Sequence, residues 1–321
     1  MTVRTAAGVT LLRLWLPWLL CASCGGPEFS SRKDSTTSGG NGGSSGSESS
    51  AAAGVDPGGS TASGTDDTRS TPCGQARNDS ANYNVEVCIP SGTFSMGSTS
   101  ANLPTGHVSH NPVHAVTLEA FLIDAYEVTV ARYRACVVAG TCDEPGTDLA
   151  SGCTYTTEVS TAEKMPISCI TANQASGFCV WDGGRRLPTE AEWERAAAGT
   201  SGNVYPWGAT FDCDHAVLAA LNACKAEYAT PTDVGSHSLG QTPEGLFDLA
   251  GNVAEWVKDW TGVYPSTAVT DPQGPSSGTS RIVRGGSYKS LAIDGQTFIR
   301  TTVSESVVGA NGIRCARAVA P

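Results

Sequence analysis

Several things are missing from this chain, and each absence narrows what it does. Its 321 residues hold 20 Lys and Arg against 31 Asp and Glu, a formal net charge of -11. No basic stripe and no Lys/Arg run interleaved with aromatics occurs, so nucleic acid is not an expected partner. There is no H-E-x-x-H, no P-loop and no dinucleotide fingerprint, which removes the common zinc-protease and nucleotide-binding signatures. No βαβα rhythm and no internal repeat is present, which excludes doubly wound and solenoid architectures. Beyond residue 72 there is no C-x-x-C pair, against a structural zinc site or a thioredoxin-like redox motif. The apolar run Leu14–Leu20 is short and follows Arg13, so it is not a membrane span.

What that run does fit is an export signal. Arg4 and Arg13 give a positive start, and Ala22-Ser23 are small residues ahead of Cys24. The pattern resembles a bacterial lipoprotein signal, with Cys21 at a place where an aliphatic residue is usual. Cys24 would then carry the lipid. Ordinary secretion with cleavage near Ser23 is the plainer alternative. Residues 25–72 are Ser, Gly, Thr and Ala with scattered Asp. They cannot bury enough surface to offset ordering entropy, so a flexible tether is expected. The organisation is thus a signal over 1–24, a tether over 25–72 and one folded domain over 73–321. The localisation it implies is an exported, membrane-anchored lipoprotein of the bacterial cell envelope.

Ten cysteines fall in that domain, at 73, 88, 136, 142, 153, 169, 179, 213, 224 and 315. An even number in an exported chain argues for disulfides. Proximity suggests 73–88, 136–142, 153–169 and 213–224, with 179 and 315 left over, but spacing does not fix the pairing.

Three helices announce themselves by their caps. Thr129 precedes "VARYRACVVAG", which Gly140 stops. Thr171 and Gln174 form a capping box, and so do Thr189 and Glu192 ahead of a helix bracketed by Pro188 and Gly199. Elsewhere the chain is rich in glycine and proline. Its strand-like runs are "TFSMG", "HAVTLEAFLID", "RIVRGGSY" and "IRCARAV". The expectation is an α+β domain with long loops stapled by disulfides.

Three constellations invite a chemical reading. His107, His110 and His114 lie close in sequence, but Pro112 falls among them and the segment reads as a loop entering a strand. Histidines at that spacing share a face only on a helix. Glu190, Glu192 and Glu194 are read as acids favoured by the helix dipole, not as a catalytic pair. In "GLFDLAGNVAEW", Asp248 and Glu255 flank the turn Gly251-Asn252. Calcium takes six to eight oxygens, from carboxylates and backbone carbonyls together, and two acids around such a turn suit it. The plain alternative is an Asp capping a turn and a Glu on a solvated strand.

Taken together, "GTFSMGS", "FCVWDGGRRLPTEAEWERAAAG", "YPWG", "GLFDLAGNVAEWVKDW", "RGGSY" and "GIRCARA" resemble, in this order, formylglycine-generating enzyme (sulfatase-modifying factor) domains. The resemblance implies a C-type lectin-like variant fold with little regular secondary structure. It implies a Cys179–Cys315 disulfide. It implies one calcium site, from Asp248, the backbone oxygens of Gly251 and Val253, and Glu255. A second family calcium site uses an asparagine where this chain has Val217, so that site is expected to be lost. Active members hold copper on two cysteines shortly after "GGSY". Here Ser290 and Gly295 stand at those places, beside the retained Ser287. A soft Cu(I) ion needs soft ligands, so copper is not expected. The family's iron enzymes, which join sulfur to histidine derivatives, place histidines partly in an added N-terminal helical domain, and a Ser/Gly tether takes that place here. The favoured expectation is a non-catalytic domain that binds a ligand or an envelope protein and meets the membrane through its lipid anchor. The alternative is a formylglycine-generating oxidase with an atypical site.

Overall fold

The computed structural model describes residues 73–100, 107–148, 152–219 and 230–319. The signal, the tether, Cys24 and Cys224 lie outside them. In chain order the elements are β1 (Asn78–Asp79), β2 (Asn84–Ile89), β3 (Gly92–Met96), β4 (His107–Val108), β5 (His114–Leu118), β6 (Phe121–Asp124), α1 (Val130–Val138), α2 (Ala172–Trp181), α3 (Glu190–Ala198), β7 (Ala254–Trp260), β8 (Val269–Thr270), β9 (Arg281–Arg284), β10 (Arg300–Val303), β11 (Asn311–Gly312) and β12 (Ala316–Ala318). Short 3-10 turns punctuate the loops. Among the described residues no helix is long and apolar enough to cross a membrane.

All three predicted helices form where their caps place them. Thr129 accepts from the Arg132 amide, and the Thr171/Gln174 and Thr189/Glu192 boxes are both closed in the two directions. A cap of this kind satisfies amides that the first turn leaves without partners and contributes about 1 kcal/mol. Every residue of α3 is buried, which its small alanines permit and its three glutamates make unusual.

A five-stranded sheet, β11-β7-β9-β10-β4, runs through the middle. β7 and β11 are parallel and the other pairs antiparallel, with an irregularity in β7 between Trp256 and Trp260. Successive strand residues point to opposite faces, and here each face meets its own core. Val257 and Ile282 join Trp193, Ala196 and Ala197 of α3 with Phe94, Val116 and Leu118. Trp256 and Val283 join Tyr133 of α1 and Phe178 of α2. Two further sheets, β1-β2-β6-β12 and β3-β5-β8, complete the layers. The run "HAVTLEAFLID" is therefore two strands, not one. β5 alternates buried and exposed residues while β6 is buried throughout, and they belong to different sheets. His114 sits in β5, buried, as a strand residue.

The disulfides are Cys73–Cys88, Cys136–Cys142, Cys153–Cys169 and Cys179–Cys315, and Cys213 is also bonded. The last named pair fastens α2 to the residue before β12 across 136 positions. In the chain-entropy model, closing so long a loop contributes about 4–5 kcal/mol.

Candidate functional site

β9 delivers the backbone to Gly285 and Gly286, both in the left-handed region at φ 84° and 69°. A side chain on Gly285 would press on the Leu249 carbonyl, 3.0 Å from its Cβ, so glycine is required there. The chain then turns tightly at Ser287–Ser290. The Ser290 amide donates to the Ser287 carbonyl at 2.7 Å, and the Ser287 amide donates to Ser290 Oγ at 3.0 Å. Ser290 thus closes a turn. Gly295 ends a 3-10 turn and is buried. A Cβ placed on it would lie 2.8 Å from Leu218 Cδ1. Leu218 belongs to a small apolar cluster with Ala216 and Ala250, backed by Trp207 and Phe211. The space a larger side chain at 295 would need is filled. Asp294, the single acid of this stretch, accepts from the Leu291 amide at 2.7 Å and faces His107 Nε2 at 3.0 Å.

Copper does not fit these residues. All nine described cysteines are disulfide-bonded, so none offers a thiolate. Ser290 presents a hydroxyl and Gly295 presents nothing.

The stretch from Asp248 to Glu255 forms the second part of the site. Asp248 and Asn252 both lie at φ 59°, a conformation Asp and Asn tolerate better than most residues. The Gly251 amide donates to the Gly285 carbonyl, and the Asn252 amide to the Val217 carbonyl, which locks this turn to the glycine pair. Val217 is buried and meets the turn through its backbone. Glu255 is not on a solvated strand. It is 1% exposed, and both its oxygens are engaged: Arg314 Nη2 donates to Oε1 at 2.7 Å, Arg314 Nε reaches both at 3.0 Å, and Trp193 Nε1 donates to Oε2 at 2.7 Å.

A third carboxyl belongs here that the sequence reading did not single out. Glu127 is fully buried and accepts from Asn252 Nδ2 at 2.6 Å and from the Val253 amide at 3.0 Å. Burial pushes it well above the ordinary carboxylate range, with Asp248 and Glu255 adding to the effect against Arg314. Burial also raises Asp248 to about 6, although the Gly235 amide and Arg314 oppose it. The signal available in the sequence was an acid set among apolar residues just before α1. The three carboxyls influence one another without converging. Among the described residues no group of three or more His, Cys, Asp or Glu side chains is placed to hold a metal ion. Of the groups that the resemblance gives to calcium, Glu255 is committed to Arg314, which leaves Asp248 and the backbone oxygens of Gly251 and Val253.

Glu190 and Glu192 lie in the first turn of α3, as expected, and Glu190 and Glu194 also meet bases remote in sequence. Glu190 binds Arg300 through both oxygens, at 2.7 and 2.8 Å, and Arg284 at 2.6 Å. Glu194 binds Arg284 at 2.7 Å and the Gly97 amide at 2.6 Å. Burial alone would raise Glu190, but Arg300 and Arg284 outweigh it and hold the carboxyl below its ordinary value. These glutamates fasten α3 to β9 and β10.

Comparison with known proteins agrees with this architecture. The chain belongs to the family of sulfatase-modifying factor enzyme 1-like domains, whose family model matches residues 72–319. It is 34% identical over 250 residues to the serine/threonine-protein kinase pkn1 of Chlamydia pneumoniae, covering 72% of this chain and 37% of that protein. It thus spans well under half the length of that relative. It is 30% identical over 250 residues to the formylglycine-generating enzyme of Streptomyces coelicolor, covering 63% of this chain and 78% of the enzyme. Among solved structures it resembles PvdO from Pseudomonas aeruginosa, with TM-score 0.58 and 25% identity over 73% of this chain and 94% of that one. The fold is a C-type lectin-like variant of the formylglycine-generating enzyme type, with mixed sheets and few helices.

Proposed function

We propose that this is an exported, lipid-anchored, non-catalytic member of its family, which binds a ligand or a protein partner of the cell envelope. One observation carries the reading. At the two positions that the family resemblance gives to copper-holding cysteines, Ser290 closes a backbone turn and Gly295 packs against Leu218, while every described cysteine is tied in a disulfide. The fold is otherwise intact around them. The competing reading, a formylglycine-generating oxidase using another route, is favoured by the 30% identity to the Streptomyces coelicolor enzyme.

One assay separates the two. The purified protein is incubated, with and without copper, with a peptide carrying Cys-x-Pro-x-Arg. The expected result is an unchanged peptide mass. Conversion of the cysteine to formylglycine would overturn the proposal. The anchor has its own test: Cys24→Ser should release the protein from membranes, and retention would mean that lipid on Cys24 is not what holds it. Calcium at Asp248, Gly251 and Val253 is part of the same proposal. It rests on the cluster of buried carboxyls at this turn, whose ionised forms a cation would favour, and would act as a structural ion.

A further inference from the structure

The far end of β7 carries a carboxylate that the ion pairs of α3 leave aside. Asp259 is 6% exposed. Its Oδ2 accepts from the Glu190 amide at 2.8 Å, at the start of α3. Its Oδ1 accepts from no residue among those described, and no lysine or arginine there forms an ion pair with it. A cavity of about 70 Å³ borders this residue. Its walls include Met96, Ala191, Trp260 and Tyr264, and Val263, 90% exposed, brings it to the surface. A water needs about 10–15 Å³ of such space, so the cavity admits roughly five atoms of that size.

Those features select among ligands. A divalent cation wants six or more oxygens, and this cavity offers one free carboxylate oxygen. A guanidinium fork binds a carboxylate best through both oxygens, and Oδ2 is already engaged. A neutral apolar guest would take water from Oδ1 and give it no donor in return, which is unfavourable. An ammonium on a short alkyl stem satisfies all three conditions. One N–H meets Oδ1, the charge is matched, and the methylenes lie along the apolar and aromatic wall. We propose that this cavity binds a primary alkylammonium group, with Asp259 Oδ1 as its acceptor. The group is the head of a free amine or the end of a lysine side chain. The cavity shares no lining residue with the Ser290–Gly295 turn, so the inference stands whether or not the domain catalyses a reaction.

The charges facing Asp259 give the site a pH dependence. Burial raises its carboxyl to about 7, Glu190 adds to this, and the Glu190 amide, Arg300 and Lys258 oppose it. Arg186 also feels its charge, and His114 and Tyr264 line the same cavity. The carboxylate is the form that binds a cation, so binding strengthens as pH rises through about 7.

Calorimetric titration of the full protein with n-butylamine, butanol and butyrate tests this. Butylamine should bind at least about tenfold more tightly than the other two, and its affinity should fall about tenfold between pH 8 and pH 6. Asp259→Asn keeps an oxygen for the Glu190 amide and should abolish the preference for amine. Nα-acetyl-lysine amide, run in parallel, distinguishes the sources. Binding equal to that of butylamine identifies a lysine side chain as an acceptable occupant, and weaker binding restricts the site to free amines. Butanol binding as tightly as butylamine overturns the proposal on the native protein, even if the variant does not fold. So does an Asp259→Asn protein that still prefers the amine, and so does the absence of any amine binding.

Discussion

Trp193 lies between two clusters of buried charge that obey the same physics with different balance. Its ring faces the Arg284 guanidinium at 5.1 Å, and its indole N–H donates to Glu255. On the Arg284 side, Glu190 and Glu194 meet Arg284 and Arg300, two acids against two bases. On the Glu255 side, Glu127, Asp248 and Glu255 share the single base Arg314. Pairing decides which way burial moves a carboxyl. Glu190 is held below its ordinary value and Asp248 is lifted above it. The balanced cluster is a staple. The unbalanced one retains unmet charge, the kind of environment a bound cation would relieve.

The comparison can be broken most forcefully at Glu190. Glu190→Ala leaves Arg300 with backbone carbonyls alone and should destabilise the protein by about 3–5 kcal/mol in urea unfolding at pH 7, as expected when one partner of a buried pair is removed. A loss under about 1 kcal/mol would mean that the balanced cluster is no staple. Because the folded Glu190 is depressed, the stability it confers is present above the ordinary carboxylate range. It is lost as pH falls through the depressed value.

Asp248 should behave in the opposite sense and by a smaller amount. Its folded value is raised from 3.8 to about 6, so the ionised form is a burden above that pH, relieved as pH falls from about 6 towards 4. Asp248→Asn should therefore stabilise the calcium-free protein at pH 8 by up to about 3 kcal/mol, with the gain vanishing near pH 4. Calcium sharpens the contrast. At about a hundredfold excess over its dissociation constant it should stabilise the wild type by about 2.7 kcal/mol, read as a higher Tm than in chelator, and Asp248→Asn should diminish that response. An identical wild-type Tm in both solutions would remove calcium from the proposal.

The parts of this molecule that were legible in its sequence are those specified locally. Thr129, Thr171 and Thr189 each lie three residues from the group they cap, so all three helices could be read off. The short-range disulfides likewise join neighbouring cysteines. The family resemblance supplied the long one, Cys179–Cys315. The sheets were far less legible. The pairings of β4 with β10 and of β7 with β11 link positions remote in sequence, and no local pattern encodes them. The charge clusters escaped for the same reason. Glu190 and Glu194 look like ordinary helix acids until Arg284 and Arg300, roughly a hundred positions away, come into contact with them. Glu127 lies in a stretch that resembles the family, but nothing local marks it as a site residue, and its role comes from the turn at Asn252 and Val253 that folds over it.

The contact between Leu218 and Gly295 makes the order of substitutions matter. A cysteine introduced first at 295 would meet Leu218 Cδ1, an overpacking expected to destabilise by about 1–3 kcal/mol. Truncating Leu218 first would instead open a void beside Ala250, which is also unfavourable. A cysteine at 290 would remove the hydroxyl that accepts from the Ser287 amide. Each opening move towards a thiolate pair thus leads downhill in stability before any metal could reward it. The packing acts as a ratchet, and only changes made together at 218, 290 and 295 would release it.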